Sequence, residues 1–268
     1  MVETKPRQSI GAAEREKRKV DCLKYGLRFP LVYQVSCARS GRNWLASVIQ
    51  KAARRPTTQI ELCSAPYERY AYIMWHAIKN ETSFLEKHHQ YIFLIRDPRD
   101  VLLSHVYFTL ARRKVRNINE RHIKEQLPFI ERWKDYFQRM LPLHPHILQY
   151  ESLCLQPEYE ISEVLKFLNI TPKRSIPSVV REYDQEIMNP FAIEGDERSR
   201  SRRYTTRQQR YDDHCLKWKK SDIFVKQFSD YVWKHNKNLM QQWGYTYEGH
   251  DISKIVHRTH RHESNVIP

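Results

Sequence analysis

Two segments of the chain share one plan: a short apolar run, a basic turn, and the start of a helix. The first is Val35-Ser36-Cys37-Ala38-Arg39-Ser40-Gly41-Arg42-Asn43-Trp44-Leu45. The second is Tyr91-Ile92-Phe93-Leu94-Ile95-Arg96-Asp97-Pro98-Arg99-Asp100-Val101-Leu102-Leu103-Ser104. A turn that opens a helix presents backbone N–H groups without intrahelical partners. Arginines beside it add rigid forks of donors, so such a turn suits a phosphate or sulfate. Two of them in one chain point to a ligand with anionic groups at two ends. They also constrain the fold. Tyr91–Ile95 is apolar without alternation, as a parallel strand covered on both faces is. Strands alternating with helices predict an α/β fold with a mainly parallel central sheet flanked by helices.

Around these segments the pattern predicts a strand at Leu31–Cys37 and a helix from Trp44 to Ala53, with Leu45, Val48 and Ile49 inward. Shorter strands are expected at Ile60–Cys63, Tyr70–His76 and His146–Tyr150. In the second segment Asp97 reads as an N-cap with Pro98 at the first helical position and Asp100 three residues past the cap, as in a capping box. Further helices are expected at Phe129–Leu141, Glu158–Leu168 and Asp222–Trp243, the last stopped by Gly244. Residues 1–20 read as a flexible basic arm or a frayed helix through Ala12–Lys19, 21–249 as a single domain and 250–268 as a polar tail. Within the domain, residues 196–220 hold nine Lys or Arg against four acids and read as an Arg-rich loop or lid.

A length of 268 residues with 40% hydrophobic composition supports one sizeable core. The net charge of +15 attracts polyanions: nucleic acid, an anionic membrane surface, or a charged nucleotide or glycan. Five cysteines at 22, 37, 63, 154 and 215 form no CxxC pair or zinc spacing, which predicts reduced thiols and an intracellular, cytoplasmic protein. No apolar run approaches the length of a membrane span, and Met1–Lys24 lacks the apolar core of a signal peptide.

The first turn is not a Walker loop, which needs a glycine-lined cradle and a lysine reaching the terminal phosphates. The pair of turns resembles instead the sulfotransferases that use 3′-phosphoadenosine 5′-phosphosulfate (PAPS). Their first loop reads P-K-S-G-T-T-W-L, and here Ser40, Gly41, Trp44 and Leu45 match in register, with Arg39 in place of Lys and Arg42-Asn43 in place of Thr-Thr. Their second element reads V-R-[ND]-P-[KR]-D-V-x-x-S, which Ile95–Ser104 follows almost throughout, including the spacing of eight from Arg96 to Ser104. His146–Leu153 is similar to the family's strand ending in Y-E-D-L, and Val164–Leu168 to its V-L-x-F-L helix.

The resemblance implies a P-loop-NTPase-like sulfotransferase architecture and transfer of a sulfuryl group from PAPS to a hydroxyl or amine. The product nucleotide would be 3′,5′-adenosine bisphosphate, and no metal is expected. It implies that Arg39, Ser40, Gly41, Arg42 and Asn43 hold the phosphosulfate. Trp44 would stack on adenine, although an ordinary core aromatic also fits there. Arg96 and Ser104 would hold the 3′-phosphate, with Tyr150 near the nucleotide and Tyr183 beside adenine, where Glu182 replaces the family's serine. The family closes its cofactor site with R-K-G-x-x-G-x-W-[KR]; here only Lys217-Trp218-Lys219 keeps the end of that motif, so Arg210, Arg207 or Arg203 is left to supply the clamp, Arg210 first by its distance to Trp218.

For the general base, His76 precedes Arg96 by 20 residues, as the family's catalytic histidine precedes its second element. A buried structural histidine is the other reading of His76. Arg39 would stabilise the leaving charge, since a guanidinium does not readily give up its proton. His105 reads as a packing residue, and His257, His260 and His262 as a solvated tail. Expected acceptors are a small metabolite, a glycan or a lipid headgroup. An ATP-dependent kinase and a nucleic-acid-binding protein are the competing readings; the missing Walker lysine argues against the first and the lack of a reader motif against the second.

Overall fold

The structure is a computed structural model describing residues 11–26, 31–37, 39–59, 64, 66–75, 89–113, 115, 117–186 and 206–259. Its centre is a five-stranded sheet, every neighbouring pair parallel: β1 (Val32–Ser36), β2 (Thr58–Gln59), β3 (Ile73–Trp75), β4 (Gln90–Ile95) and β5 (His146–Gln149). The spatial order is β2-β3-β1-β4-β5. The chain therefore leaves β1 on one side and returns as β4 on the other. In open parallel sheets, ligands bind at the carboxyl ends of the strands where the order reverses in this way. Both basic turns sit there, because Ser36 pairs with Leu94 in adjacent strands.

The helices are α1 (Ala12–Gly26), α2 (Arg42–Ala53), α3 (Pro98–Arg112), α4 (Glu120–Gln126), α5 (Phe129–Met140), α6 (Tyr150–Leu155), α7 (Pro157–Phe167), α8 (Ile176–Glu186), α9 (Arg207–His214) and α10 (Lys226–Gln242). A two-stranded antiparallel ribbon, β6 (Tyr245–Thr246) and β7 (Gly249–His250), follows, and then α11 (Ile252–Thr259). Alternation along β4 sends Tyr91, Phe93 and Ile95 into a core with α3, α5 and α10, and Ile92 and Leu94 into a second core with α2 and α7. Gly244, at φ +76°, lets the chain turn out of α10.

Several elements differ from expectation. The sequence boundary at residue 20 falls inside α1, whose Cys22 and Leu23 are buried in the first core. The boundary at 250 falls inside β7, and Ile255 beyond it is fully buried. Residues 207–214 and 217–220 are helical rather than loop, because Tyr211, Cys215 and Trp218 give this basic stretch an apolar side to bury. The strand expected at Tyr70–His76 is confined to Ile73–Trp75, and the one expected at Ile60–Cys63 lies outside the described residues. Among the described residues, no helix is long and apolar enough to cross a membrane.

Candidate active site

The first turn begins where β1 ends. Arg39 and Gly41 both adopt left-handed backbone, at φ +73° and +92°. Gly41 is required twice over, since a Cβ there would lie 2.2 Å from Cδ2 of the Tyr150 ring. As the N-cap of α2 it offers no capping side chain, so the first N–H groups of α2 have no side-chain acceptor. Beside them the Ser40 hydroxyl is fully buried and has no hydrogen-bond partner. Arg39 Nε donates to Ser104 Oγ at 3.1 Å, and its guanidinium lies 4.5 Å from the centre of the Phe108 ring. Burial, then the neighbouring Arg96 charge, push its pKa down to about 10, which leaves it protonated at neutral pH.

Arg96 leaves the end of β4 and is buried. Its Nη1 donates to the Arg39 carbonyl at 3.0 Å, its Nη2 donates to the His214 carbonyl, and its guanidinium lies over the Tyr150 ring at 4.5 Å. Its Nε has no partner. Burial works against the charge, but Tyr150 and Asp100 outweigh it and hold the pKa up. The two turns are thus in direct contact, Arg39 to Ser104 in one direction and Arg96 to Arg39 in the other.

Asp97 caps α3 as expected, its side chain accepting the Arg99 N–H at 2.8 Å. Asp100 does not complete a capping box. Its carboxylate accepts the N–H groups of Leu216 (2.7 Å) and Trp218 (3.2 Å), because it faces the buried segment after α9, whose backbone donors need an acceptor. Arg99 is equally buried. It forks onto Asp97 at 2.7 and 3.0 Å, donates to the carbonyls of Tyr247 and Gly249, and packs 4.0 Å from the Trp218 ring. His250 Nε2 meets Asp97 at 2.9 Å and its Nδ1 meets the Tyr211 hydroxyl at 2.6 Å. Glu151 accepts the Asp97 N–H at 2.8 Å and the Tyr245 hydroxyl at 3.0 Å.

Burial raises the carboxyl pKa of Asp97, but the Arg99 charge and the His250 bond overcome it and hold it well below the usual range. His250 is pushed up: burial opposes its charge, and Asp97 more than compensates. Asp97, Asp100 and His250 have the side-chain types and proximity of a metal group. Here their ligand atoms are taken up by Arg99, by each other and by backbone N–H donors. None of this scaffold was expected from sequence except the Asp97 cap. By sequence His250 falls at the start of the polar tail, and no local pattern marks it as buried.

A cavity of about 80 Å³ adjoins the turns on the α2 side, lined by Trp44, Tyr150, Cys154, Tyr183, Arg210 and His214. Trp44 and Tyr183 meet edge to face with centroids 5.6 Å apart, and the Arg210 guanidinium lies 5.6 Å from the Trp44 ring. Arg210 is 3% exposed, and burial lowers its pKa. Arg207, by contrast, is on the outside of α9, ion-paired to Glu158 at 2.8 Å. Arg203 lies outside the described residues. Tyr183 is positioned by its neighbour: Glu182 pairs with Lys51 of α2 at 2.9 Å and with Arg174 at 2.6 Å, which ties α8 to α2. That explains the acid where the family pattern has serine. Asn43 and Arg42 occupy the first turn of α2, both half-buried.

His76 lies outside the described residues; β3 ends one residue before it, with Trp75 paired to Val35 just upstream of the first turn. His105 stacks on Phe129 with ring centroids 3.8 Å apart, and burial lowers its pKa. Of the tail histidines, His260 and His262 lie outside the described residues, and His257 falls within α11.

These residues fit an anion at each turn. The buried Ser40 hydroxyl lacks an acceptor, the head of α2 is uncapped, and Arg96 keeps a free Nε beside an aromatic-lined cavity. The model of the sulfotransferase domain family matches residues 32–244. Among solved structures, mouse sulfotransferase SULT7A1 complexed with PAP aligns over 87% of this chain and 94% of its own, at 16% identity and a TM-score of 0.56. The sulfotransferase domain from the curacin biosynthetic pathway aligns over 78% of this chain and 97% of its own, at 14% identity and a TM-score of 0.46. Comparison with curated protein sequences gives no match.

Proposed function

The chain belongs to the sulfotransferase domain family, and on that footing we propose that it transfers a sulfuryl group from PAPS to a hydroxyl or amine of an acceptor. The observation that carries this reading is the contact of the two turns beside one aromatic cavity, with a buried hydroxyl and a buried cation left to meet an oxyanion. Ser40 and the N–H groups at Gly41, Arg42 and Asn43 hold the phosphosulfate end. Arg96, Ser104 and Arg210 hold the 3′-phosphate. Trp44, Tyr150 and Tyr183 enclose adenine. Ser104 accepts from Arg39, so its own O–H remains to be donated to a phosphate oxygen.

The bound nucleotide supplies an activated sulfuryl group with a phosphate as leaving group. His76 takes the proton from the acceptor oxygen or nitrogen as that atom attacks in line. Arg39 stabilises the charge that develops on the leaving oxygen, and its proton stays in place. Among the described residues, Cys22, Cys37, Cys154 and Cys215 are buried and form no disulfide, which suits a reducing, cytoplasmic setting.

Calorimetry with 3′,5′-adenosine bisphosphate, ADP and a short oligonucleotide tests the donor site. Preference for ADP would favour a kinase and preference for the oligonucleotide a nucleic-acid-binding protein; either result sinks the sulfotransferase reading. For the base, His76→Ala should keep nucleotide binding while turnover with labelled PAPS falls about 10²-fold or more. Unchanged turnover removes His76 from the mechanism.

A further inference from the structure

The helix that carries Arg210 is fastened to the second turn at its carboxyl end. Arg96 Nη2 donates to the His214 carbonyl, and Asp100 accepts the N–H groups of Leu216 and Trp218. These bonds fix where α9 ends. They join backbone atoms at or beyond residue 214, so they leave open how the earlier residues are turned about the helix axis. One turn earlier, Tyr211 supplies a further link. Its hydroxyl meets His250 Nδ1 at 2.6 Å, and His250 Nε2 meets Asp97 at 2.9 Å. The side chains of Asp97 and His250 are fully buried, and Tyr211 is buried as well.

The far end of this relay is held firmly. Arg99, forked onto Asp97, also donates to the carbonyls of Tyr247 and Gly249 in the ribbon, so His250 cannot shift without breaking buried bonds. Tyr245, whose hydroxyl donates to Glu151, packs its ring 5.4 Å from that of His250. Burial notwithstanding, Arg99 keeps Asp97 ionised, so His250 Nε2 is the N–H donor toward it. A neutral ring then offers Nδ1 as acceptor for the Tyr211 O–H; a charged ring donates from Nδ1 to the Tyr211 oxygen. The tie to α9 therefore forms in either state of the histidine.

Arg210 and Tyr211 are consecutive, so their side chains leave α9 about 100° apart. With Tyr211 fixed toward the ribbon, Arg210 is directed into the cavity, where its guanidinium lies 5.6 Å from the Trp44 ring. Neither Tyr211 nor His250 lines that cavity. We propose that Tyr211 and His250 are positioning residues of the donor site, which hold α9 at the rotation where Arg210 meets the 3′-phosphate of the nucleotide. The inference rests on the sulfotransferase reading, which gives Arg210 that phosphate. A guanidinium reads a phosphate through aligned N–H bonds, so a clamp left loose by its supporting groups loses much of its contact.

Calorimetry on the full chain tests this with 3′,5′-adenosine bisphosphate and adenosine 5′-phosphate, which differ only in the 3′-phosphate. Tyr211→Phe keeps the ring and removes one oxygen. It should weaken the bisphosphate about three- to ten-fold and leave adenosine 5′-phosphate within about two-fold. His250→Gln takes away the same partner and should reproduce that loss of 3′-phosphate preference. In an Arg210→Gln background Tyr211→Phe should cost nothing further, because its effect passes through Arg210. Equal losses for the two nucleotides, an undiminished loss in the Arg210→Gln background, a loss in one of the two variants without the other, no loss in either, or loss of the fold would each overturn the proposal. A wild-type chain that binds the bisphosphate no better than adenosine 5′-phosphate is a separate result, and it overturns the sulfotransferase reading itself.

Discussion

Of the two basic turns, the second is tied into its surroundings at almost every polar atom, while the first leaves a buried hydroxyl without a partner and the head of a helix without a side-chain cap. After β4, Asp97, Arg99 and Asp100 all face inward and bind the C-terminal ribbon and the segment after α9. Only Arg96 and Ser104 turn toward the ligand side. After β1, left-handed backbone at Arg39 and Gly41 holds Ser40 and α2 in place with few side-chain bonds. Most of the second motif is therefore tied into the fold, and the first is left open, as the proposed donor site requires. Substitutions should separate along that line.

The largest effect is expected at Arg99. Its side chain is fully buried against Asp97, so Arg99→Met strands a carboxylate left with only His250 and the backbone N–H of residue 99. Breaking one side of such a pair costs about 3–5 kcal/mol, to be read as a lower midpoint in urea unfolding. If Arg99→Met unfolds at the wild-type midpoint and loses only nucleotide affinity, the division between the turns is wrong.

A contrast within α9 comes next. Arg210 is buried at the cavity, and Arg207 is exposed beside Glu158. Arg210→Gln should weaken 3′,5′-adenosine bisphosphate about ten- to hundred-fold by calorimetry, as expected for a lost charge-assisted bond to phosphate. Arg207→Gln should change it little, since an exposed ion pair contributes about 0.2–1 kcal/mol at most. Equal losses would move the clamp away from Arg210.

The second turn should also carry a pH signature. His250 has a pKa raised above its ordinary 6.5, so its contribution is complete below that value and is lost as pH rises through the raised pKa. Asp97 is depressed below 3.8, so its contribution is complete above that value and is lost only as pH falls through the lowered pKa. Between these limits the pair is charged and paired. Asp100 and Glu151, pushed up by burial, also lose their part as pH rises, so wild type alone does not isolate the histidine. Urea midpoints of wild type and His250→Gln across about pH 5 to 9 do isolate it: the difference should shrink toward alkaline pH. A constant difference would show that His250 acts without its charge.

How much of this could be read in the sequence follows the same division. The strands and the two turns were legible, because β4 is an unbroken apolar run and Asp97-Pro98 is a local helix start. Gly41 was legible as a turn glycine, though not its contact with Tyr150, which opens α6 after another strand. The buttress was not legible, because its partners are far apart in the chain. Asp97 to His250 spans 153 residues and Asp100 to Leu216 spans 116. Local patterns suggest instead a capping role for Asp100 and a polar tail beginning at His250.

The smallest effect is the most discriminating, because its two readouts should not fall together. Ser40 keeps a fully buried hydroxyl with no partner, a group that costs about 1–3 kcal/mol in the ligand-free fold. Ser40→Ala removes that group and adds little void, so the urea midpoint should stay or rise. The same change removes a donor from the phosphosulfate end, so affinity for PAPS should fall about five- to ten-fold, with a smaller loss for 3′,5′-adenosine bisphosphate, which lacks the sulfuryl oxygens. A destabilised Ser40→Ala would mean that the hydroxyl supports the fold. The first turn would then be built like the second, and the sulfuryl contact would have to come from the backbone N–H groups of α2 alone.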